Sequence, residues 1–232
     1  MPDDVDTSQP SAGQPHLSQQ GDVWVLHLGD GENRFDLDST GRLLELVSEV
    51  EERPAPRALV TAASGKIWSN GLDLDWMMAN QEHASTVVER LHRLLGEVLG
   101  AGIPTVAAVQ GHAFAGGAML ALAHDFVIMR EDRGYWCVPE VDLGLPFTPG
   151  MDELLRARLP RRTAHVAMTT GRRYGGPDAV TAGIADEAVA LDDVLPRAVE
   201  LAGSLAGKDP ATLRAIKQRM YADAIAALDH QH

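Results

Sequence analysis

TVAAVQGHAFAGGAMLALAHDFVIM, residues 105–129, reads as strand, glycine-broken turn, short helix and strand with hardly a charged residue in it. Thr105–Val109 is short and apolar and follows Pro104, as a buried strand would. Gly111, Gly116 and Gly117 then interrupt the chain before a helix of small residues to about Ala123. Phe126–Arg130 is the next strand. Working outward, Val23–Leu28 and Ala58–Ala62 are further strands, and Tyr135–Val138 is a short one. Helices are predicted over about Ser39–Val50 and Ala84–Leu99. The second carries Val87, Val88, Leu91, Leu94, Leu95, Val98 and Leu99 on one stripe and ends at Gly100.

After Glu140 the chain turns helical. Thr148-Pro149 and Asp209-Pro210 are each an N-cap followed by a first-turn proline. The last helix, about 211–228, is expected to turn Leu213, Ile216, Met220 and Leu228 inward. Strands alternating with helices and then a helical tail predict an α/β core with a helical appendage. Residues 1–21, rich in Asp, Ser, Gln, Pro and Gly, are expected to be a disordered lead-in. The core then spans 22–189 and a C-terminal helical region 190–232.

Composition narrows the function classes. The 232 residues make one large domain, 45% apolar and 23% charged. A net charge of −13 argues against a broad nucleic-acid or anionic-membrane surface, though a local basic spot can still hold a small anion. Cys137 is the only cysteine, which excludes an intrachain disulfide and a Cys-only zinc site. The longest apolar run, Ala113–Ala123, is too short to span a bilayer, and the polar start is unlike a signal peptide. A soluble, cytoplasmic protein is expected. No phosphate-cradling P-loop, dinucleotide fingerprint or G-x-S-x-G nucleophile elbow is present. His112, His124 and His165 lack metal spacing, and Asp73 and Asp75 form only an isolated D-x-D, so no metal is expected.

Two glycine-containing loops follow buried strands: KIWSNGLDL at 66–74 and GHAFAGG at 111–117, the latter opening a helix. A helix-start N–H lacks an intrahelical partner and sits at the positive end of the dipole. Glycine there lets an oxygen approach the backbone. Two such N–H groups aimed at one carbonyl oxygen would form an oxyanion hole. The same glycines also serve tight helix–strand packing, and spacing alone leaves both readings open.

The two loops in this order, with PEVDLGL at 139–145 and AVTAGIADEAV after Gly176, resemble the enoyl-CoA hydratase/isomerase (crotonase) superfamily over nearly all of the chain from Val23. SNG-x-DL, GHA and PEVDLGL are most similar to the plant-type monofunctional Δ3,Δ2-enoyl-CoA isomerases. The resemblance implies a spiral of ββα turns, a homotrimer or dimer of trimers, an acyl-CoA thioester as ligand, and no cofactor beyond the coenzyme A of the substrate. It places the oxyanion-hole donors at Asn70 and Gly116, and one catalytic glutamate at Glu140. It puts Arg34, Ser64 and Lys66 near the nucleotide half of coenzyme A. Trp68, Leu72, Leu74, Met77, Met119, Trp136 and Phe147 become candidates for the acyl pocket or for plain core.

Hydratases of the superfamily use a second glutamate, and here that position holds Met119. A thioether cannot take or give a proton. Hydration needs groups that orient a water and move its protons, whereas a double-bond shift needs one base. The expected reaction is therefore a 3-to-2 double-bond isomerisation of an enoyl-CoA. A hydratase using Asp142 or Asp73, and a non-catalytic acyl-CoA binder, are the alternatives. Lys217 is left in doubt as a ligand. Glu140 paired with Arg130 or Arg133 is the structural alternative for that carboxylate, and Asp125 is expected to accept a backbone N–H.

Overall fold

A computed structural model of the chain describes residues 13–229. Its first half runs β1 (His16–Gln20), β2 (Val23–His27), β3 (Arg34–Phe35), α1 (Leu37–Glu52), β4 (Ala58–Ala62), β5 (Ile67–Ser69), β6 (Gly71–Leu72), α2 (Leu74–Ala79) and α3 (Ala84–Leu99). Next come β7 (Thr105–Val109), β8 (His112–Phe114), α4 (Gly116–Ala123), β9 (Phe126–Arg130), β10 (Trp136–Cys137) and α5 (Glu140–Leu143). The remainder is α6 (Pro149–Arg158), α7 (Arg161–Thr170), α8 (Gly176–Thr181), β11 (Glu187–Val189), α9 (Leu191–Leu205), α10 (Pro210–Met220) and α11 (Ala222–Asp229).

The units β2-β3-α1, β4-β5-β6-α2, β7-β8-α4 and β9-β10-α5 repeat one geometry. The leading strand of each joins a six-stranded sheet of order β1-β2-β4-β7-β9-β11, parallel except for β1. The second strands β5, β8 and β10 build a separate parallel sheet, and β3 pairs with β6. From β4 onward each turn thus advances the chain by one strand in both layers, which is the expected spiral. β4 and β7 are buried at every position because helices cover both faces of the large sheet, hence their unbroken apolar character.

On one face Leu59, Ala107 and Val109 pack with Leu43, Leu46, Leu91 and Leu95 from α1 and α3. On the other, Val60, Val106 and Ile128 pack with Val194, Ala198 and Ala202 of α9. The helix that begins the C-terminal region therefore completes the core, and a boundary near residue 190 cuts through one packing unit.

Three expectations change. Of the lead-in, residues 1–12 lie outside the described residues, but His16–Gln20 form an ordered strand on β2. An edge strand tolerates polar side chains, and Leu17 packs on the core while the His16 ring stacks on His27. The last helix breaks at Tyr221 into α10 and α11. Within α10, Ile216 and Met220 face outward and Lys217 faces in. Lys217 Nζ is 2.7 Å from Asp125 Oδ2 and donates to the Ile103 carbonyl at 2.9 Å. With Lys217 turned inward, its ammonium is paired and hydrogen-bonded, as a buried charge requires.

Candidate active site

The site is assembled where the ends of β5, β8 and β10 lie side by side, because β8 pairs with both neighbours. From β8 the chain turns sharply at Ala115, whose φ of 50° and ψ of −125° are costly for a residue with a Cβ. The Ala115 N–H donates to the Cys137 carbonyl at 3.0 Å, tying this turn to β10. Gly116 is the first residue of α4, so its N–H has no intrahelical acceptor.

The two glycine loops meet backbone to backbone. A Cβ on Gly71, which has φ 76°, would lie 2.7 Å from the Gly116 nitrogen, and one on Gly117 would lie 2.5 Å from the Ser69 carbonyl oxygen. Both glycines serve close approach, and what they bring together is the helix start and the β5–β6 turn.

The expected donor at Asn70 is corrected by this geometry. Its N–H is occupied by the Glu32 carbonyl at 3.1 Å. The Asp73 N–H goes to the Phe35 carbonyl at 2.9 Å. Leu72 follows Gly71, the residue whose Cα packs against the Gly116 helix start.

Glu140 opens the one-turn helix α5 and is 7% exposed. Its Oε2 is buried with no hydrogen-bond partner, and burial pushes its pKa up to about 7. The structural alternative fails: Arg130 makes a two-point contact with Asp132 at 2.5 and 2.9 Å, and neither it nor Arg133 is among the groups acting on Glu140. The loop after Glu140 is exposed through Pro146, with the Leu145 N–H closing back on the Glu140 carbonyl at 3.0 Å.

Several pocket candidates are core. Trp68, Met119 and Trp136 are each fully buried. Trp68 packs edge-on to His124, and the Trp136 indole N–H donates to the Ala118 carbonyl at 2.9 Å, bracing α4 from behind. Leu72, Met77 and Phe147 are half-buried and Leu74 is 38% exposed, so these four retain surface for a ligand. Met119 is the fourth residue of α4, and its N–H bonds to the Ala115 carbonyl.

On the expected nucleotide side, Ser64 and Lys66 are exposed. Arg34 is not a free cation: Glu32, Asp75 and Asp73 lie 2.5, 3.2 and 3.6 Å from its guanidinium. The adjoining cavity of about 690 Å³ carries Asp30, Glu32, Asp36, Asp38 and Asp73 against Arg34 and Arg42. A phosphate would meet net negative charge there, and Arg34, expected near the nucleotide half, is engaged with these carboxylates instead.

Asp73, Asp125, Lys217, His124 and Cys137 have structural work. Asp73 caps α2 through the Trp76 N–H, and Asp125 accepts the Thr105 N–H as well as Lys217. Lys217 is thereby excluded as a ligand. His124 is buried between the Leu120 carbonyl and Thr61 Oγ1, and burial lowers its pKa to about 4. The Cys137 thiol donates to the Gly171 carbonyl, and burial pushes its pKa up to about 11, which leaves it unreactive. Among the described residues no three His, Cys, Asp or Glu side chains group as metal ligands, and no helix is long and apolar enough to cross a membrane.

Comparison with known proteins bears on the family and the fold. Residues 19–232 match the enoyl-CoA hydratase/isomerase family. Enoyl-CoA delta isomerase 2, peroxisomal, of Arabidopsis thaliana is 36% identical over 83% of this chain and 85% of its own length. Carnitinyl-CoA dehydratase of Escherichia coli K12 is 29% identical over 88% of this chain and 78% of its own. The crystal structure of an enoyl-CoA hydratase from Mycobacterium marinum superposes with a TM-score of 0.85 at 27% identity, over 93% of this chain and 95% of that one. With its strand-and-helix spiral, its facing glycine loops and a family match from residue 19 onward, the chain belongs to the enoyl-CoA hydratase/isomerase (crotonase) family of enzymes.

Proposed function

We propose that the protein shifts a carbon–carbon double bond from the 3 to the 2 position of an enoyl-CoA thioester, with Glu140 as its only proton carrier. The observation carrying this reading is an asymmetry: Glu140 is a buried, unpaired carboxylate, while the second acid position of the hydratases is a fully buried methionine, Met119. In this mechanism the thioester oxygen accepts the N–H groups of Gly116 and Leu72. These stabilise the negative charge that develops when the C2 proton leaves. Removing one such donor typically costs ~2.7–4 kcal/mol of barrier lowering. The Glu140 carboxylate takes the C2 proton, and the carboxylic acid so formed returns it to C4, leaving the double bond conjugated with the thioester.

A base whose pKa is about 7 suits both halves of that cycle, since it neither holds nor releases the proton too strongly. Met119 and its apolar neighbours keep water from the dienolate. The family precedent of a trimer or dimer of trimers is carried over, with coenzyme A entering only as part of the substrate. The physiological setting in this reading is the oxidation of unsaturated fatty acids.

The dehydratase and hydratase relatives favour hydration as a second reading. Mass spectrometry in deuterated water separates the two. Conversion of 3-enoyl-CoA to trans-2-enoyl-CoA with no gain of water, lost in Glu140→Gln, supports isomerisation. A 3-hydroxyacyl product from the 2-enoyl substrate overturns it, and tight thioester binding with no turnover leaves a binding protein.

A further inference from the structure

His92 lies on α3, is 4% exposed, and holds Thr148 Oγ1 at 2.9 Å from its Nε2. Thr148 caps α6 and accepts the Met151 N–H at 3.3 Å, so with Phe147, which packs on the core, it anchors the chain just after the exposed stretch 141–146. The near end of that stretch is tied down separately, by Cys137 to Gly171 and by the paired hydrogen bonds between Trp136 and Tyr174. One residue before His92, Leu91 supports the oxyanion side: a Cβ on Gly116 would come within 2.9 Å of Leu91 Cδ2. A single helix therefore touches both Gly116 and the far anchor of the loop that carries Glu140.

We propose that His92 is a positioning residue for the reaction, setting the Glu140 loop in register with Gly116 through its hydrogen bond to Thr148. The inference rests on the catalytic reading of Glu140 given above. His92 touches no substrate in this account. Its effect is on the placement of the carboxylate, and misplacement by about 1 Å can cost up to roughly a hundredfold in rate.

The test compares His92→Phe, which breaks the bond but leaves the Thr148 cap of α6, with His92→Gln, whose amide can still reach Thr148. Steady-state rates on 3-enoyl-CoA are read beside amide hydrogen exchange of residues 140–148 by mass spectrometry. The expected result for His92→Phe is faster exchange in that segment and a kcat lower by roughly tenfold or more, with KM held within about twofold. His92→Gln should recover most of both. Unchanged exchange in His92→Phe overturns the proposal whatever reaction the enzyme runs. Faster exchange with an unaltered kcat overturns it too. Failure of the underlying reading shows differently, as full activity in Glu140→Gln, and leaves the exchange result standing.

Discussion

The two short helices that open at the site are built in opposite ways. Every residue of α4, from Gly116 to Ala123, is buried, and its first turn is pressed against Gly71 and Ser69. In α5 Glu140 alone is buried, and Val141 and Leu143 are about half exposed. In the proposed reaction the fixed helix offers the Gly116 N–H to the thioester oxygen, and the other offers the one side chain that gives and takes the proton. Electrostatic stabilisation demands preorganised dipoles, so it belongs on packed backbone; proton transfer demands an adjustable pKa, so it belongs on a desolvated side chain.

The largest expected effect breaks the comparison on the α5 side. Glu140→Gln keeps the shape and removes the proton carrier, so kcat for double-bond isomerisation should fall roughly 10²–10⁴-fold with little change in KM. Initial rates on 3-enoyl-CoA measure it, and a loss smaller than tenfold would remove Glu140 from the mechanism.

The two glycines of positive φ nearest each helix sharpen the contrast in stability. Gly71→Ala meets the Gly116 nitrogen at 2.7 Å, whereas Gly144→Ala, at φ 68°, meets nothing within 4 Å. The second variant pays only the left-handed backbone penalty, about 1–2 kcal/mol. The first adds an overlap with backbone that cannot rotate away, and should lose clearly more. Chemical denaturation of the pair decides this, and equal losses would mean that the loops do not press on each other.

Burial of Glu140 also predicts a pH signature. Its folded pKa of about 7 lies above the ordinary 4.5, so the native state holds the proton more tightly than the unfolded chain. Native stability should then fall as pH rises from about 4.5 to 7, by at most ~3 kcal/mol for this group. Glu140→Gln should flatten that part of the curve and be the more stable protein at pH 8. The catalytic limb has the opposite sense: the free enzyme needs the carboxylate, so kcat/KM should rise with pH and level off above about 7.

Which parts of this were legible in advance follows from the range of the interactions involved. The bounds of α3 follow from a clean stripe of Val87, Leu91, Leu94, Leu95 and Val98 ending at Gly100. The caps of α6 and α10 lie in the adjacent pairs Thr148-Pro149 and Asp209-Pro210. Such signals are local. Lys217 facing inward is not, since its partner Asp125 is 92 positions away and hydropathy alone ranks Ile216 and Met220 ahead of it. That the Asn70 N–H is taken by the Glu32 carbonyl depends on how the β5–β6 turn is laid beside the chain before β3, and side-chain identity does not encode that. Glu140 was visible only through its motif; its isolation from Arg130 needed the contact of Arg130 with Asp132.

The smallest expected effect concerns the exposed rim itself. Leu120 of α4 is 2% exposed and Leu143 of α5 is 53% exposed, so the same kind of side chain occupies both environments. Leu120→Ala should cost about 2–5 kcal/mol, the transfer of its methyl groups plus the cavity left behind. Leu143→Ser in the isolated chain should stay within about 0.5 kcal/mol, because the residue is already 53% exposed. Unfolding measured across a dilution series separates intrinsic stability from association. If Leu143→Ser costs more than about 1 kcal/mol only at the concentrated end, this leucine is covered by a second copy in the assembled enzyme. If it costs as much at every dilution, α5 is packed within its own chain, and the contrast between a fixed α4 and an open α5 is wrong.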